Sequence, residues 1–133
     1  MITTRHRRLC AIALLAVGAV HFEQYTVARY SVVPTIGSLF LANFVAATAF
    51  GLALLAPFGS ISGRLRELVD ITAALGGLGV AGGALAALLI SERTPLFGFM
   101  EHGYRLEIVI AIAAETVAIV TLGTAVASAR RPR

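Results

Sequence analysis

The strongest constraint on this chain is a set of four apolar runs separated by short polar punctuation. Crossing the hydrocarbon core of a bilayer takes about 20 residues of apolar helix. Residues 68–90 reach that length with one carboxylate, Asp70, near the start. Residues 108–129 reach it with one acidic interruption, Glu115, and residues 39–58 with one amide, Asn43. The first run, "LCAIALLAVGAV" at 9–20, is too short alone and spans only if its helix continues through "HFEQY" to about Ala28. Val32-Val33-Pro34 then stops any helix, because the residue before proline is pushed out of the α region. Pro57-Phe58-Gly59 and Thr94-Pro95 punctuate the later runs. The expectation is one all-α transmembrane domain over 1–133, a four-helix bundle with spans near 9–28, 38–58, 68–90 and 105–129. A rival reading takes "RHRR" and 9–20 as a signal peptide cut after Val17-Gly18-Ala19, which would leave three spans.

Charge fixes the expected orientation. Only 14% of residues are charged and 58% are hydrophobic, against about 25% charged in soluble domains. The net charge of +4 raises nucleic acid as a partner, but the arginines sit at the ends of apolar runs, where they act as topology determinants, so no nucleic acid is expected. Arg5, Arg7, Arg8, Arg64, Arg66, Arg130, Arg131 and Arg133 fall on one side of the spans and Arg29, Arg93 and Arg105 on the other. The positive-inside rule makes the first side cytoplasmic, giving an up-down-up-down bundle with both termini inside. The lone Cys10 excludes an internal disulfide and a Cys-based metal cluster within one chain.

Three polar residues share one depth. At about 1.5 Å per residue, His21 lies roughly 20 Å from the cytoplasmic boundary, Asn43 roughly 21 Å and Glu115 roughly 22 Å. In the third span the same depth falls near Gly82-Gly83, which has no side chain to fill the space. Such a layer leaves room for a small ligand, an ion or waters. At 100° per residue, His21, Gln24, Tyr25 and Arg29 share one helix face, whereas Glu23 points about 200° away. Glu107 and Glu115 lie about 80° apart, so both are candidates to border one cavity. Ionisable groups inside a membrane are functional candidates by default. They also serve as interhelical glue worth under about 2 kcal/mol, and the layer is open to both readings. No metal site is assigned: "EHGYRLE" lacks a recognised ligand spacing, and His21 is the only histidine placed well inside for a haem. No hydrolase signature is present.

Gly76, Gly79 and Gly83 form a small-residue stripe that either seats the third span in the bundle or makes a homodimer seam. In the loop "SERTPLFGFMEHGYRLE", Phe97, Phe99, Met100 and Tyr104 read as interface anchors, with a lid over the polar layer as the alternative.

"HFEQY", "PTIGSLFLANFVAA", "LFGFMEHG" and the intramembrane Glu115 resemble the small four-helix membrane proteins of unassigned activity common in actinobacteria and, more loosely, the DoxX-like group. That resemblance implies a multi-pass protein of the bacterial plasma membrane and an association with quinone-linked redox complexes. It carries over no catalytic residue. The functional expectation is therefore an accessory or scaffold subunit, self-associating or docked in a larger membrane complex. The alternatives are a quinone-like ligand held by His21, Gln24, Tyr25, Asn43, Glu107 and Glu115, or proton-coupled transport through Glu115.

Overall fold

The computed structural model describes residues 2–57 and 62–129. Phe58-Gly59 of the expected stop signal, and Arg130, Arg131 and Arg133 of the charge count, lie outside the described residues. Four helices follow in order: α1 (Thr4–Thr26), α2 (Ile36–Leu55), α3 (Gly63–Ser91) and α4 (Leu106–Ala129). Each is long and apolar enough to cross a membrane. Their outward faces carry Ile12, Val45, Leu52, Val117 and Val120, all exposed.

Helix α1 runs unbroken through "HFEQY", as its length required. It also starts earlier than the apolar run. The Thr3 side chain accepts from the His6 backbone N–H, so Arg5, Arg7 and Arg8 lie inside the helix. Ser62 caps α3 in the same way through the Leu65 N–H, extending that helix five residues upstream of the expected 68. Hydropathy marks the apolar part of a helix, while the caps mark where it begins.

The turn from α1 to α2 relies on non-glycine residues in left-handed backbone. Arg29 has φ 61° and precedes a 3₁₀ turn at Tyr30–Val32. Thr35 has φ 64° and ψ −52°, and the Ile36 N–H donates to the Pro34 carbonyl at 2.7 Å, closing a γ-turn. The start of α2 is therefore folded hard against the 3₁₀ turn. A Cβ on Gly37 would sit 2.7 Å from the Tyr30 carbonyl oxygen, so only glycine fits there.

Helix α1 packs closely on α2 and α4, while α3 packs chiefly on α4 and α2 and meets α1 across the bundle. Gly18 approaches Phe44 and Thr48 of α2, and Gly51 of α2 approaches Ala11 and Leu15, so the two helices run antiparallel at close range. Across the bundle α1 meets α3 in parallel at a few points: Arg7 is beside Asp70 and Leu14 is seated on Gly77. Helix α4 runs antiparallel to α1, with Glu115 near His21 and the Thr121 carbonyl accepting from Cys10 Sγ. Leu14, Val17, Ala81, Ala118 and Leu122 fill the centre with essentially no exposure.

The expected glycine stripe is displaced. Gly76 is packed, since a Cβ there would overlap the Phe50 ring. Around Gly79 and Gly83 nothing lies within 4 Å of where a Cβ would stand. The buried stripe of α3 is Ala73, Ala74, Gly77, Ala81 and Ala84, rotated from the glycine register. Alanine is small enough to allow the approach that glycine was expected to provide.

Arg7 Nε donates to Asp70 Oδ1 at 2.8 Å, with both side chains almost wholly buried. By sequence Arg7 is a topology charge and Asp70 an interruption; in the fold they are partners. Removing one member of a buried pair strands a charge, so Asp70→Ala is expected to lower stability by about 3–5 kcal/mol. Arg7→Leu combined with Asp70→Leu is expected to recover most of that loss in thermal unfolding of detergent-solubilised protein. In the same assay Gly37→Ala should cost about 1–3 kcal/mol, because the obstructing atom is backbone. Gly79→Ala should cost nothing.

Candidate functional site

The site begins at the end of α1 distant from Arg7. His21 and Gln24 are buried and Tyr25 is half-buried. Arg29 does not join their face, because the helix ends at Thr26 and Arg29 is exposed beyond it. Glu23 points elsewhere, as the helical angle required: it borders a separate groove between α1 and α4, together with Glu107. Glu107 is exposed and lines that groove, whereas Glu115, two turns further along α4, is buried and does not line it.

His21 Nδ1 lies 2.9 Å from the Val17 carbonyl one turn back, and an Nδ1–H donates to it. That bond leaves Nε2 as the lone-pair nitrogen of a neutral ring. Nε2 faces Glu115 Oε1 at 3.7 Å, with side-chain exposures of only 6% and 3%. Glu115 Oε2 is buried without a hydrogen-bond partner among the described residues. That separation is too long for a hydrogen bond, and a proton on Nε2 would make the contact an ion pair.

Beside this pair a cavity of about 80 Å³ opens between α2 and α3. His21, Asn43 and Ser91 supply its polar groups, the Ser91 hydroxyl already donating to the Leu88 carbonyl, while Leu39, Phe40, Ala84 and Ala87 supply apolar wall. Asn43 is half-buried, and its amide bonds to no protein group among the described residues. The expected glycine wall at Gly82-Gly83 does not line the cavity; Ala84, the next residue, and Ala87, one turn further along, do. The depth count brings His21, Asn43 and Glu115 to one level. The side-chain directions then divide them, with Glu115 on the α4 side of His21 and Asn43 on the cavity side.

The 92–105 loop closes the distal end. The Leu96 and Phe99 backbones exchange hydrogen bonds at 2.7 and 2.9 Å across a tight turn, with φ 51° at Phe97 and 77° at Gly98. Positive φ at both central residues is the geometry that suits a two-residue hairpin. It turns Leu96 and Phe99 into the cavity wall and leaves Phe97 and Tyr104 exposed, so the loop divides between lid and surface.

A cluster not anticipated from sequence ties this lid down. Tyr30 OH donates to Glu101 Oε2, and Arg105 Nη2 donates to Tyr30 OH at 2.8 Å and to Glu101 Oε1 at 3.1 Å. The Glu101 N–H donates to the Ser91 carbonyl at 3.1 Å. The Tyr30 ring stacks on Phe40 at 4.8 Å and meets Phe99 edge-on at 5.5 Å. Phe40 in turn lies 5.4 Å from the His21 ring, so an aromatic chain links the cap to the cavity wall. The i,i+4 spacing of Glu101 and Arg105 is a usable signal in the sequence; Tyr30 gives none.

No protein-family model, curated protein or solved structure matches this chain.

Burial, reinforced by the Glu101 carboxylate, pushes the Tyr30 phenol up to about 12. Arg105 is held above its ordinary value by Tyr30 and Glu101. The unfolded phenol ionises near pH 10. A folded value raised above the unfolded one gives stability that is complete below about pH 10 and is lost as pH rises through about 12. Thermal unfolding followed across that window should show the loss in the parent chain. Tyr30→Phe should be less stable at neutral pH and should lack that part of the alkaline decline.

Proposed function

We propose that the chain is a multi-pass protein of the bacterial plasma membrane. In this reading it spans the bilayer four times with both termini cytoplasmic, and its outer half binds a small, largely apolar molecule with a hydrogen-bonding head, quinone-like in character. The embedding is supported by four helices of spanning length and by the apolar residues on their outward faces. It also agrees with the arginine bias toward the end that holds Arg7, Arg64 and Arg66.

One observation carries the binding reading. An aromatic-walled cavity presents an unpaired amide, Asn43, beside a histidine whose ring is already oriented by Val17. Binding sites for small molecules combine an apolar lining with a few placed polar groups in this way. A planar head carrying a carbonyl would accept from the Asn43 amide and lie against Phe40. An apolar tail would leave between α2 and α3 toward lipid. His21 and Glu115 then stand where a proton gained or lost by the head would be handled. The loose likeness to DoxX-like proteins points to the same ligand class.

The test is an organic extract and absorbance spectrum of purified protein, followed by titration with a short-tailed ubiquinone. Loss of one hydrogen bond in Asn43→Ala should weaken binding by roughly tenfold. His21→Ala should weaken it comparably, while Glu107→Gln should leave it unchanged. Absence of saturable binding by the parent chain would sink this reading.

A second reading, an accessory subunit that self-associates or docks in a larger membrane complex, is favoured by Gly79 and Gly83. They sit on an outward face with no described atom of the chain against them. Ala86 is exposed on the same face, one turn beyond Gly83. Cross-linking through Ala86→Cys, in a Cys10→Ser background, should then give a dimer that Gly83→Leu abolishes.

A further inference from the structure

At the end opposite the His21 cavity, a second cavity of about 210 Å³ opens between the start of α1, the end of α2 and the start of α3. Three arginines line it, Arg7, Arg8 and Arg66, with Thr4 beside them. Leu54, Leu55 and Pro57 provide the apolar side.

Arg7 is a fixed donor. Its Nε bonds to Asp70 at 2.8 Å and its Nη2 to the Ala56 carbonyl at 3.5 Å, and its side chain is only 6% exposed. These contacts use two of the five guanidinium N–H groups and immobilise the rest beside the cavity. Asp70 neutralises Arg7 alone. Arg8 and Arg66 form no ion pair among the described residues. The cavity wall therefore carries one oriented guanidinium and two arginines with no ion-pair partner among the described residues, against an apolar flank. Arginine as a topology signal explains the charge but not its convergence on a cavity, nor the buried carboxylate that orients one member.

We infer that this cavity binds a phosphate-bearing anion, its phosphate oxygens accepting from Arg7, Arg8 and Arg66. Guanidinium groups match phosphate oxygens in geometry as well as in charge. Basic pockets between spans on the cytoplasmic side suit lipid head groups, and Leu54 and Leu55 flank the site where acyl chains would run. The source favoured is thus the phosphodiester of an anionic lipid, with a soluble phosphate ester as the other source of the same chemistry. The lipid source rests on the membrane embedding proposed above. It is independent of any ligand at His21, so failure at one cavity leaves the other untouched.

The experiment is native mass spectrometry of purified full-length chain equilibrated with equal phosphatidylglycerol and phosphatidylcholine. Phosphatidylglycerol should be retained preferentially. Arg8→Gln combined with Arg66→Gln should reduce that preference by roughly ten- to thirtyfold, two surface charges having been removed. Arg64→Gln, at the same end but outside the cavity lining, should leave it intact. Retention that survives millimolar inorganic phosphate identifies the lipid source, whereas displacement by phosphate identifies the soluble one. No preference in the parent chain, or an equal loss in Arg64→Gln, overturns the site. Circular dichroism of each variant separates lost binding from lost fold.

Discussion

The register between α1 and α3 depends on one stripe of α1 that repeats every seven residues: Arg7, Leu14 and His21. Facing it in parallel, α3 presents Asp70, Gly77 and Ala84 at the same interval. Each level is a different kind of contact. Arg7 meets Asp70 as a buried ion pair, and Leu14 is received by the space over Gly77. At the third level His21 faces Ala84 across a gap, and that gap is the cavity. A seven-residue interval keeps two helices in register because it drifts by only about 20° per repeat. The cavity is therefore set by register. It opens where a large α1 side chain gives way to a histidine turned toward Glu115 and α3 supplies only a methyl.

The antiparallel partner follows the same interval. Leu122 of α4 packs at the Leu14–Gly77 level, and Glu115, seven residues earlier, reaches the His21 level. In water the apolar stripe alone would drive association. If these helices lie in lipid, as proposed, the hydrophobic term no longer distinguishes helix from solvent, and shape and polar contact must set the arrangement. The polar groups are placed accordingly. Arg7–Asp70 fixes one end, His21–Glu115 marks the interior, and Tyr30–Glu101–Arg105 fixes the other end. Small residues between these points, such as Gly18 and Gly51, let α1 and α2 approach closely.

Much of this is legible in the residue order. Run length and punctuation give four helices and require α1 to continue through "HFEQY". Rise per residue brings His21, Asn43 and Glu115 to one depth, and helical angle separates Glu23 from His21. What fails is rotation about α3. Glycine and alanine are both small, so pattern alone does not say which stripe faces inward, and Ala73, Ala81 and Ala84 take the place expected for Gly79 and Gly83. The Tyr30 cluster is hidden for a different reason. Its geometry needs positive φ at Arg29, Thr35 and Phe97, residue types that do not advertise that conformation. Composition marks a loop, whereas the direction of its side chains is settled by tertiary contact.

The two ends of the bundle differ in how they meet the proposed ligands. The arginine-lined cavity is held by helix termini and by a buried ion pair, so its geometry is set by the same contacts that set the fold. The His21 cavity has a floor on the helices but a roof on the 92–105 loop, and that roof is tied down by the Tyr30 phenol and by the Glu101 N–H bond to Ser91. Tyr30 contacts the lid residue Phe99 on its edge, the wall residue Phe40 on its face, and Glu101 and Arg105 through its hydroxyl. Loosening the Tyr30 cluster therefore loosens lid and wall together, whereas loosening Arg7–Asp70 disturbs helix register. The two proposals divide accordingly: the small-molecule ligand is assigned to the loop-roofed cavity, and the lipid phosphate to the helix-walled cavity at the arginine end.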